Sequence, residues 1–508
     1  MAENTPQPPS QRHYRAPCPG CGAPVEFTSA QSTHAVCGYC RSTVVRHGDV
    51  LERLGEMAEV FDDHSPLQLM ASGRVALDGR ELSFTLIGRL QYEGETGGWT
   101  EWVAYLEDGS TATLGEDNGA YVFTRPDTLG RELPEAERFR LGMTTAVGGK
   151  SYSVTSNLQA HLRSAQGELP RLPPLHQPFA MVELRSDDGE VLSIDYGVAP
   201  GRVERGRAVR LEDLKLQGLK EESVKEEKGR QFSCPNCGAP VQVQLDSTKS
   251  CTCPACNSVI DLSSGIGGEL RHAAQSAIAQ LFIPLGSTGQ FEGAPWQVVG
   301  FQRRTGVIPA QDEDEEDEEE FEWDEYLLYN VTRGFIFLLD TSEGWSLVRS
   351  TTGAPKYRRG AQTATYLGRQ YSLESSYTAT TSYVAGEFYW PVSRGQKTDN
   401  SDFNAADGKG TLSREESAGE VTWSHGQPID SNTVAQAFRL GDQAGLFRRQ
   451  DSGPVVGGSS IGCGTLIVIA IVLLVLLVLI SNCSGSSGGS ARSSGGSWGG
   501  YTSGGSHK

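Results

Sequence analysis

The chain has 508 residues, of which 37% are hydrophobic and 21% are charged, and its formal net charge at pH 7 is −19. This length suffices for about three to four domains of ordinary size. The acidic balance argues against a surface built as a whole to hold nucleic-acid backbones or anionic lipid, because those partners require clustered Lys and Arg.

The first 15 residues are polar and rich in proline. They contain no apolar stretch of the kind found in a secretory signal, and we predict that residues 1–15 are disordered. In a long chain without such a signal, paired cysteines are expected in a reducing compartment, and there they indicate metal ligands and not a disulfide framework.

Two near-identical phrases, CPGCGAPV and CPNCGAPV, each open a set of two CxxC motifs with 15 residues between the motifs. Zn²⁺ binds four thiolates tetrahedrally, and the two-residue gap lets a tight turn direct both sulfurs at one ion. Gly22 and Gly238 follow these turns and can adopt the positive φ that such turns require. The sequence therefore predicts zinc ribbons at 16–48 and 232–264, with two structural Zn²⁺ ions. The predicted ligands are Cys18, Cys21, Cys37 and Cys40 in the first ribbon and Cys234, Cys237, Cys253 and Cys256 in the second.

A redox-active CxxC motif is the competing interpretation, but it requires an isolated pair near a βαβ pattern and a lowered thiol pKa. Two matched sets of four cysteines favour closed four-thiolate sites, which hold a fold together and leave no position for a substrate. Iron in place of zinc needs special surroundings that the sequence does not show. Cys251 has Ala35 opposite it in the first copy, so we interpret it as a bystander and not as a fifth ligand.

After each ribbon the chain continues with a segment of helical character, at 49–60 and at 269–281, and then with strand-like runs. We place β domain 1 at 66–200 and β domain 2 at 282–430. In both domains Val, Ile, Tyr and Trp alternate with polar residues between DG, GG and EG turns, which favours antiparallel β structure in a sandwich or barrel. The repeat unit is therefore a ribbon, a connector helix and a β domain.

Matching segments inside the β domains support this duplication. FTLIGRLQYEG resembles WQVVGFQRRTG, GKSYSV matches GRQYSL, GELP matches GEFYWP, and GEVLSIDYG matches GEVTWSHG. The residues that fall opposite one another include Trp99, Glu101 and Trp102 with Trp323, Glu325 and Tyr326, respectively. The aromatic pairs could form a ligand-binding patch, but such residues more often pack in a β core, and we predict core positions.

Three further segments differ in composition from the domains. Residues 201–231 are charged and lack an apolar stripe, which predicts an exposed linker helix, and residues 431–460 are predicted to form a second linker. In the run 312–325, 12 of the 14 residues are acidic. This run predicts a solvated hairpin loop, because close like charges repel one another and cannot be buried. It lacks the spacing of a calcium-binding loop.

Residues 461–480 form an uncharged apolar run that would span about 30 Å as a helix, which predicts one transmembrane helix in preference to a buried core helix. Arg448 and Arg449 precede this run and Arg492 follows it. The positive-inside rule then places the bulk of the chain in the cytoplasm. The tail at 481–508 is rich in Gly and Ser and is predicted to be flexible.

The sequence contains no catalytic signature. The segment VGGKS at 147–151 lacks the first glycine of a phosphate-binding loop, because Thr144 stands in its place. No HExxH or GxSxG motif occurs, and no Ser/His/Asp or paired-carboxylate set is retained in both copies. Neither ribbon region carries a basic stripe, which argues against nucleic-acid binding.

The segments FTLIGRLQYEG and WTEWVAYLEDG, with their partners WQVVGFQRRTG and WDEYLLYN, resemble a bacterial family known only as domain of unknown function number four-one-seven-eight. The GKSYSV/GRQYSL and GELP/GEFYWP segments share this resemblance, which covers both β regions. Members of the family combine the domain with small zinc ribbons and membrane segments. The resemblance implies no activity and no catalytic residue, and it suggests a role in envelope stress.

The expected fold class is mainly β: two repeats of a small zinc ribbon plus an antiparallel β domain, followed by a single C-terminal transmembrane helix. The leading hypothesis is a non-enzymatic, single-pass membrane protein whose cytosolic ribbons and β domains act as a scaffold or sensor with protein partners. A nucleic-acid-binding zinc-ribbon protein is one alternative. An enzyme or small-ligand binder with a site in the β domains is another.

Overall fold

The computed structural model describes residues 14–441 apart from internal gaps. The gaps are at 48–49, 58–64, 78, 95–96, 118–119, 131, 198–200, 221–230, 244–247, 263–269, 276–280, 310–318, 331–332 and 418. The disorder predicted at 1–15 is wrong over Tyr14 and Arg15, which belong to a β-strand. Residues 1–13, the predicted transmembrane helix at 461–480 and the Gly/Ser tail at 481–508 lie outside the described residues.

Ribbon 1 combines a two-stranded hairpin, whose turn carries the first CxxC motif, with a three-stranded sheet that carries the second. Its strands are β1 (Tyr14–Pro17), β2 (Pro24–Phe27), β3 (His34–Val36), β4 (Ser42–His47) and β5 (Val50–Glu56). The turn residues Gly22 and Arg41 both have positive φ, as the tight turn after each CxxC motif requires.

Domain 1 is a closed antiparallel barrel of eight strands with two added strands. Its strands are β6 (Ser72–Leu77), β7 (Arg80–Gly94), β8 (Gly97–Leu106), β9 (Thr111–Asp117), β10 (Ala120–Asp127), β11 (Thr144–Val147), β12 (Lys150–Leu169), β13 (Phe179–Arg185), β14 (Glu190–Asp195) and β15 (Arg202–Val209). The barrel order is β7, β8, β9, β10, β15, β14, β13, β12 and back to β7. β6 pairs with β7, and β11 pairs with β12. Short 3-10 helices lie at Ala136–Arg138 and Leu211–Leu214.

The second repeat has the same order of strands, each numbered fifteen higher. Ribbon 2 consists of β16 (Gln231–Ser233), β17 (Pro240–Gln242), β18 (Ser250–Thr252), β19 (Val259–Asp261) and β20 (Arg271–Ala273). Domain 2 consists of β21 (Thr288–Phe291), β22 (Ala294–Ile308), β23 (Glu319–Asn330), β24 (Gly334–Thr341), β25 (Gly344–Ser350), β26 (Thr363–Tyr366), β27 (Arg369–Phe388), β28 (Lys397–Ala405), β29 (Thr411–Ser417), β30 (Glu420–Ile429) and α1 (Ser431–Ala437). Strands β22 and β27 close this barrel as β7 and β12 close the first.

Facing glycines mark the closure of each barrel. Gly88 pairs with Gly167 in the first barrel, and Gly300 pairs with Gly386 in the second. A Cβ atom at Gly88 would lie 2.0 Å from the carbonyl oxygen of Glu168, so no side chain fits there. The close approach of the two long strands explains why the GE dipeptide of GELP recurs in GEFYWP.

Much of the apolar core of domain 1 lies on the face of the barrel strands that points away from Glu101. Trp102 and Leu114 are packed there beneath Leu67 and Leu214, which come from segments outside the barrel ring. Because side chains alternate along a strand, the other face of β8 carries Glu101. The same face carries Val103, which packs with Leu90 and Tyr92 in a second apolar cluster, so Glu101 faces the cavity from a partly apolar wall.

Several predicted elements differ in the structure. The predicted helix at 49–60 is wrong over Val50–Glu56, which is strand β5, because pairing with β4 overrides the helical propensity of the segment. In the predicted helix at 269–281, Arg271–Ala273 is strand β20. The predicted linker helix at 201–231 is wrong over Arg202–Val209, which closes the first barrel as β15. Its charges are accommodated because Arg205 bonds to Asp127 at 2.6 Å.

Two further segments belong to domain 2. The loop predicted for the acidic run 312–325 is wrong over 319–325, because these residues are part of β23. Asp324 and Glu325 are buried there, because Arg303 and Arg304 compensate their charges. The linker predicted at 431–460 begins with helix α1, which packs on the core of domain 2 through Val434 and is followed by buried Phe438.

The strand pairing also shows that one of the sequence matches between the repeats is wrong. GEVLSIDYG contains β14 and GEVTWSHG contains the last strand, β30, so the two are not equivalent. In the part of the chain that the structure describes, no helix has the length and apolar character needed to cross a bilayer.

Candidate functional site: two cysteine clusters and a shared cavity

The structure brings the eight predicted cysteine ligands together as two clusters of four. In each cluster the four sulfurs lie within 4.8 Å of one another. The closest sulfur pairs are Cys18–Cys40 at 3.7 Å, Cys21–Cys37 at 3.8 Å, Cys234–Cys256 at 3.7 Å and Cys237–Cys253 at 3.8 Å. A tetrahedron of sulfurs at about 2.3 Å from a central ion has edges of about 3.8 Å, so both clusters fit a four-thiolate metal site.

Hydrogen bonds around the clusters act differently on the individual cysteines. The amide of Gly20 donates to the sulfur of Cys18 at 3.3 Å. Hydrogen bonds with the side chain and backbone of Ser42 lower the pKa of Cys40 to about 6. Ser258 takes the same place beside Cys256 in the second ribbon. At Cys21 the backbone amide of Ala23 lowers the pKa, but hydrogen bonds with the other sulfurs of the cluster raise it to about 12, so a bound metal ion would have to displace this proton.

Cys251 stands apart from the second cluster. It is buried in the core of ribbon 2, and burial raises the pKa of its thiol to about 12. It therefore stays protonated at neutral pH and packs as a small apolar side chain.

Each ribbon is attached to its own barrel near the barrel closure. In ribbon 1, β3 pairs with β12, and the carboxylate of Glu168 accepts the amide N–H groups of Thr28 at 2.7 Å and Ser29 at 3.1 Å. In ribbon 2, β18 pairs with β27, and Glu387 accepts the hydroxyl of Thr248 at 2.9 Å. The Glu of the GE dipeptide thus anchors a ribbon in both repeats.

A single cavity of about 740 Å³ is lined by residues of both barrels. This volume lies in the ~300–1,000 Å³ range of small-molecule sites. Its lining contains ten carboxylates and five arginines. Of the charged residues that line it, Glu212 pairs with Arg333 at 3.3 Å and Glu292 pairs with Arg349 at 2.6 Å. The other carboxylates of the lining are Glu101, Glu116, Asp117, Glu183 and Glu204 of domain 1 and Glu325, Glu415 and Glu420 of domain 2.

Glu325 is fully engaged by groups of its own repeat. The indole of Trp323 donates to it at 2.6 Å, the amide of Gln302 donates at 2.6 Å, and the guanidinium of Arg304 lies 4.0 Å away. Arg304 also binds Glu415 at 3.0 Å. This carboxylate is therefore compensated inside the protein.

Glu101 has a different environment. Among the described residues it makes no hydrogen bond and no ion pair. Burial, together with the charge of nearby Glu204, raises its pKa to about 7. Of the neighbouring cations, Arg202 binds Glu204, whereas Arg171 binds Asp195 through one nitrogen and its charge also acts on Glu101.

A second acidic group lies where the barrels meet. Strand β12 forms a bridge to β30 at Ser156 and Glu420. Asp117 is open to the cavity, and its partial desolvation there together with the charges of Glu420 and Glu183 raises its pKa above the usual range. Arg185, which binds Glu183 at 2.7 Å, supplies positive charge to these three carboxylates.

The aromatic residues singled out in the sequence divide into two groups. Trp102, Trp323 and Tyr326 are buried, as predicted for core residues. Trp99 is half-buried, stacks on Tyr92 at a ring distance of 5.3 Å and lines the cavity. The sequence supports a small-ligand site in the β domains only as an alternative and singles out no role for Glu101. The available signal was the retention of this Glu in both copies, as Glu101 and Glu325.

Comparison with known proteins identifies the barrels. A model of the family described as domain of unknown function DUF4178 matches residues 74–210 and again residues 284–431, which together make up more than half of the chain. Each match covers one barrel, and both ribbons lie outside the matched residues. Searches of curated proteins and of solved structures found no match. The chain therefore belongs to the DUF4178 family and carries the family's domain twice.

Proposed function

We propose that this protein is a non-catalytic sensor that binds a small molecule in the cavity shared by its two barrels. The observation that carries this proposal is the cavity of about 740 Å³ lined by carboxylates and hydroxyls of both repeats. The inside of an eight-stranded barrel is just wide enough to be filled by side chains or to hold one small ligand. Buried polar groups are costly unless they are paired, so a polar interior favours a bound ligand.

In this proposal the two cysteine clusters hold structural Zn²⁺. A closed four-thiolate site supplies folding free energy and no reactivity. Each ribbon is joined to its barrel at the closure of the long strands, through Glu168 and Glu387. The metal would therefore keep the walls of the cavity in place.

The remaining parts of the proposal concern the segments after residue 441. The apolar run 461–480 would anchor the sensor in a membrane, with the barrels on the cytoplasmic side, and a protein partner would read the occupied state. Alkaline extraction of membranes tests the anchor. Release of the full-length protein into the soluble fraction would contradict it.

Binding is tested with full-length protein and a library containing cationic, neutral and anionic small molecules, followed by thermal shift and isothermal titration calorimetry. Ser193 lies between Glu183 and Glu204 in the strand register and lines the cavity, so Ser193→Trp should block any ligand bound there. Ser151→Trp introduces the same side chain at an exposed position of β12 and serves as the control. Ligands that bind both variants equally well, or the absence of any ligand, would refute the proposal.

A further inference from the structure

Glu101 and Glu325 occupy equivalent positions in the two repeats but have different surroundings. Strand register pairs Leu90 with Glu101 in the first barrel and Gln302 with Glu325 in the second. In both barrels these pairs follow the bulge before the closure glycine, at Gly88 and Gly300. Glu101 and Glu325 are therefore structurally equivalent, and the second repeat shows which partners a Glu at this position needs.

The donors that serve Glu325 are missing around Glu101. Leu90 stands at the position of Gln302 and has no donor. Tyr92 stands at the position of Arg304, so the guanidinium is absent. Trp99, at the position of Trp323, lies nearly parallel to Tyr92, with an angle of 19° between the rings. Glu101 faces the cavity without a hydrogen-bonding amide or indole and without an arginine on the facing strand, and the nearby positive charge is that of Arg171, which binds Asp195.

From this difference we infer that the ligand is an organic cation, which presents a protonated amine or a guanidinium to Glu101 and places its apolar part against Trp99. This inference rests on the function proposed above. The ligand would take the place that Gln302 and Arg304 fill in the second repeat. A neutral or anionic ligand would not supply the positive charge that Arg304 supplies to Glu325.

The charges around the cavity agree with a cationic ligand. Near Glu101, Arg171 and Arg202 are each engaged by a carboxylate of their own. Near the junction of the barrels, Arg185 is the cation among three carboxylates. With its carboxyl groups ionised, each group carries more negative than positive charge, so a cation in the cavity would stabilise the ionised form.

A bare metal ion fits this site less well than an organic cation. Among the described residues, the only groups of three or more ligand side chains within 4.8 Å are the two cysteine clusters. The carboxylates of the cavity are spread over its wall and do not converge on one point. Trp99, Trp390 and Phe337 also line the cavity, and aromatic faces attract organic cations.

The test is calorimetry on the full-length protein in zwitterionic nanodiscs, with empty nanodiscs as the blank. The probes are n-hexylamine, 1,6-diaminohexane and hexylguanidine, compared with hexan-1-ol and hexanoate of the same chain length. We expect at least one of the three cations to bind, and hexanol and hexanoate to bind at least about tenfold more weakly. Titration at pH 6.5 in two buffers of different ionisation enthalpy should show proton release on binding.

Three variants locate the contact. Glu101→Gln should weaken cation binding about tenfold or more and abolish the proton release. Leu90→Gln should also weaken binding, because it gives Glu101 an internal donor like that of Glu325. Glu107→Gln removes an exposed carboxylate of the neighbouring turn and should leave binding unchanged.

The outcomes separate this inference from the proposed function. Binding of hexanoate or hexanol in preference to all three cations, or equal cation binding by wild type and Glu101→Gln, would refute the inference. Sensitivity of any ligand to Ser193→Trp would still support a binding cavity. If none of the three cations binds while a neutral or anionic library member does, the inference alone is wrong.

Discussion

The carboxyl of Glu101 should make the stability of the protein depend on pH in a way that one substitution removes. Its pKa is raised from 4.5 to about 7 in the folded protein, mainly by burial. Between these two values the folded state binds more protons than the unfolded state, so stability falls as the pH rises. With 1.36 kcal/mol for each pH unit, the loss amounts to at most about 3 kcal/mol above pH 7.

Glu101→Gln keeps the shape of the side chain and cannot ionise. We expect its free energy of unfolding, relative to wild type, to increase by about 2 to 3 kcal/mol between pH 5 and pH 8 in the ligand-free state. Urea titrations at several pH values, followed by intrinsic fluorescence, measure this difference. Other groups with raised pKa values, such as Asp117, titrate in both proteins and cancel in the comparison.

Glu107→Gln is the matched control, and its difference from wild type should not change with pH. A constant difference between Glu101→Gln and wild type from pH 5 to pH 8 would show that Glu101 ionises normally. The environment assigned to this residue would then be wrong.

Three further predictions concern the ribbons and the barrel closure. Cys18→Ser should reduce bound zinc from two ions to one per chain, whereas Cys251→Ser should leave two. Plasma mass spectrometry measures the zinc content, and unchanged zinc in Cys18→Ser would refute the ligand assignment. Glu168→Ala removes the acceptor of two backbone amides and should weaken the attachment of ribbon 1 to its barrel by about 1.5–3 kcal/mol of free energy. Hydrogen exchange at Thr28 and Ser29 should then accelerate, and unchanged protection would count against the anchor. Gly88→Ala should destabilise domain 1 by on the order of 3 kcal/mol, because its Cβ atom would lie 2.0 Å from a carbonyl oxygen. Gly115→Ala should be tolerated, because the nearest atom to its Cβ would be 3.7 Å away. Equal effects of the two variants in chemical denaturation would contradict the close approach.

The cysteine clusters and the duplication could be read from the sequence because both depend on local spacing. The two residues between paired cysteines fix a turn, and fifteen residues allow the second turn to return to the first. The alternation of apolar and polar residues likewise indicated antiparallel strands. These signals are carried by neighbours in the chain, so they do not require knowledge of the fold.

Errors arose where long-range pairing overrides local composition. Residues 202–209 are charged and would suit an exposed helix, yet they fill the last gap in a barrel and pair with β10 and β14. Asp324 and Glu325 belong to an acidic run, yet arginines on the neighbouring strand allow them to be buried. Composition alone gives no information about which strand lies alongside.

The sequence by itself determined the repeat, the paired-cysteine turns and the β character of the domains. Only the tertiary structure decided that strands close into barrels, that their polar faces share one cavity, and that Glu101 lies in it without the donors of its counterpart Glu325. The physical reason is that a carboxylate's charge state and partners depend on groups distant in the chain, which closure of the barrel brings near or leaves out.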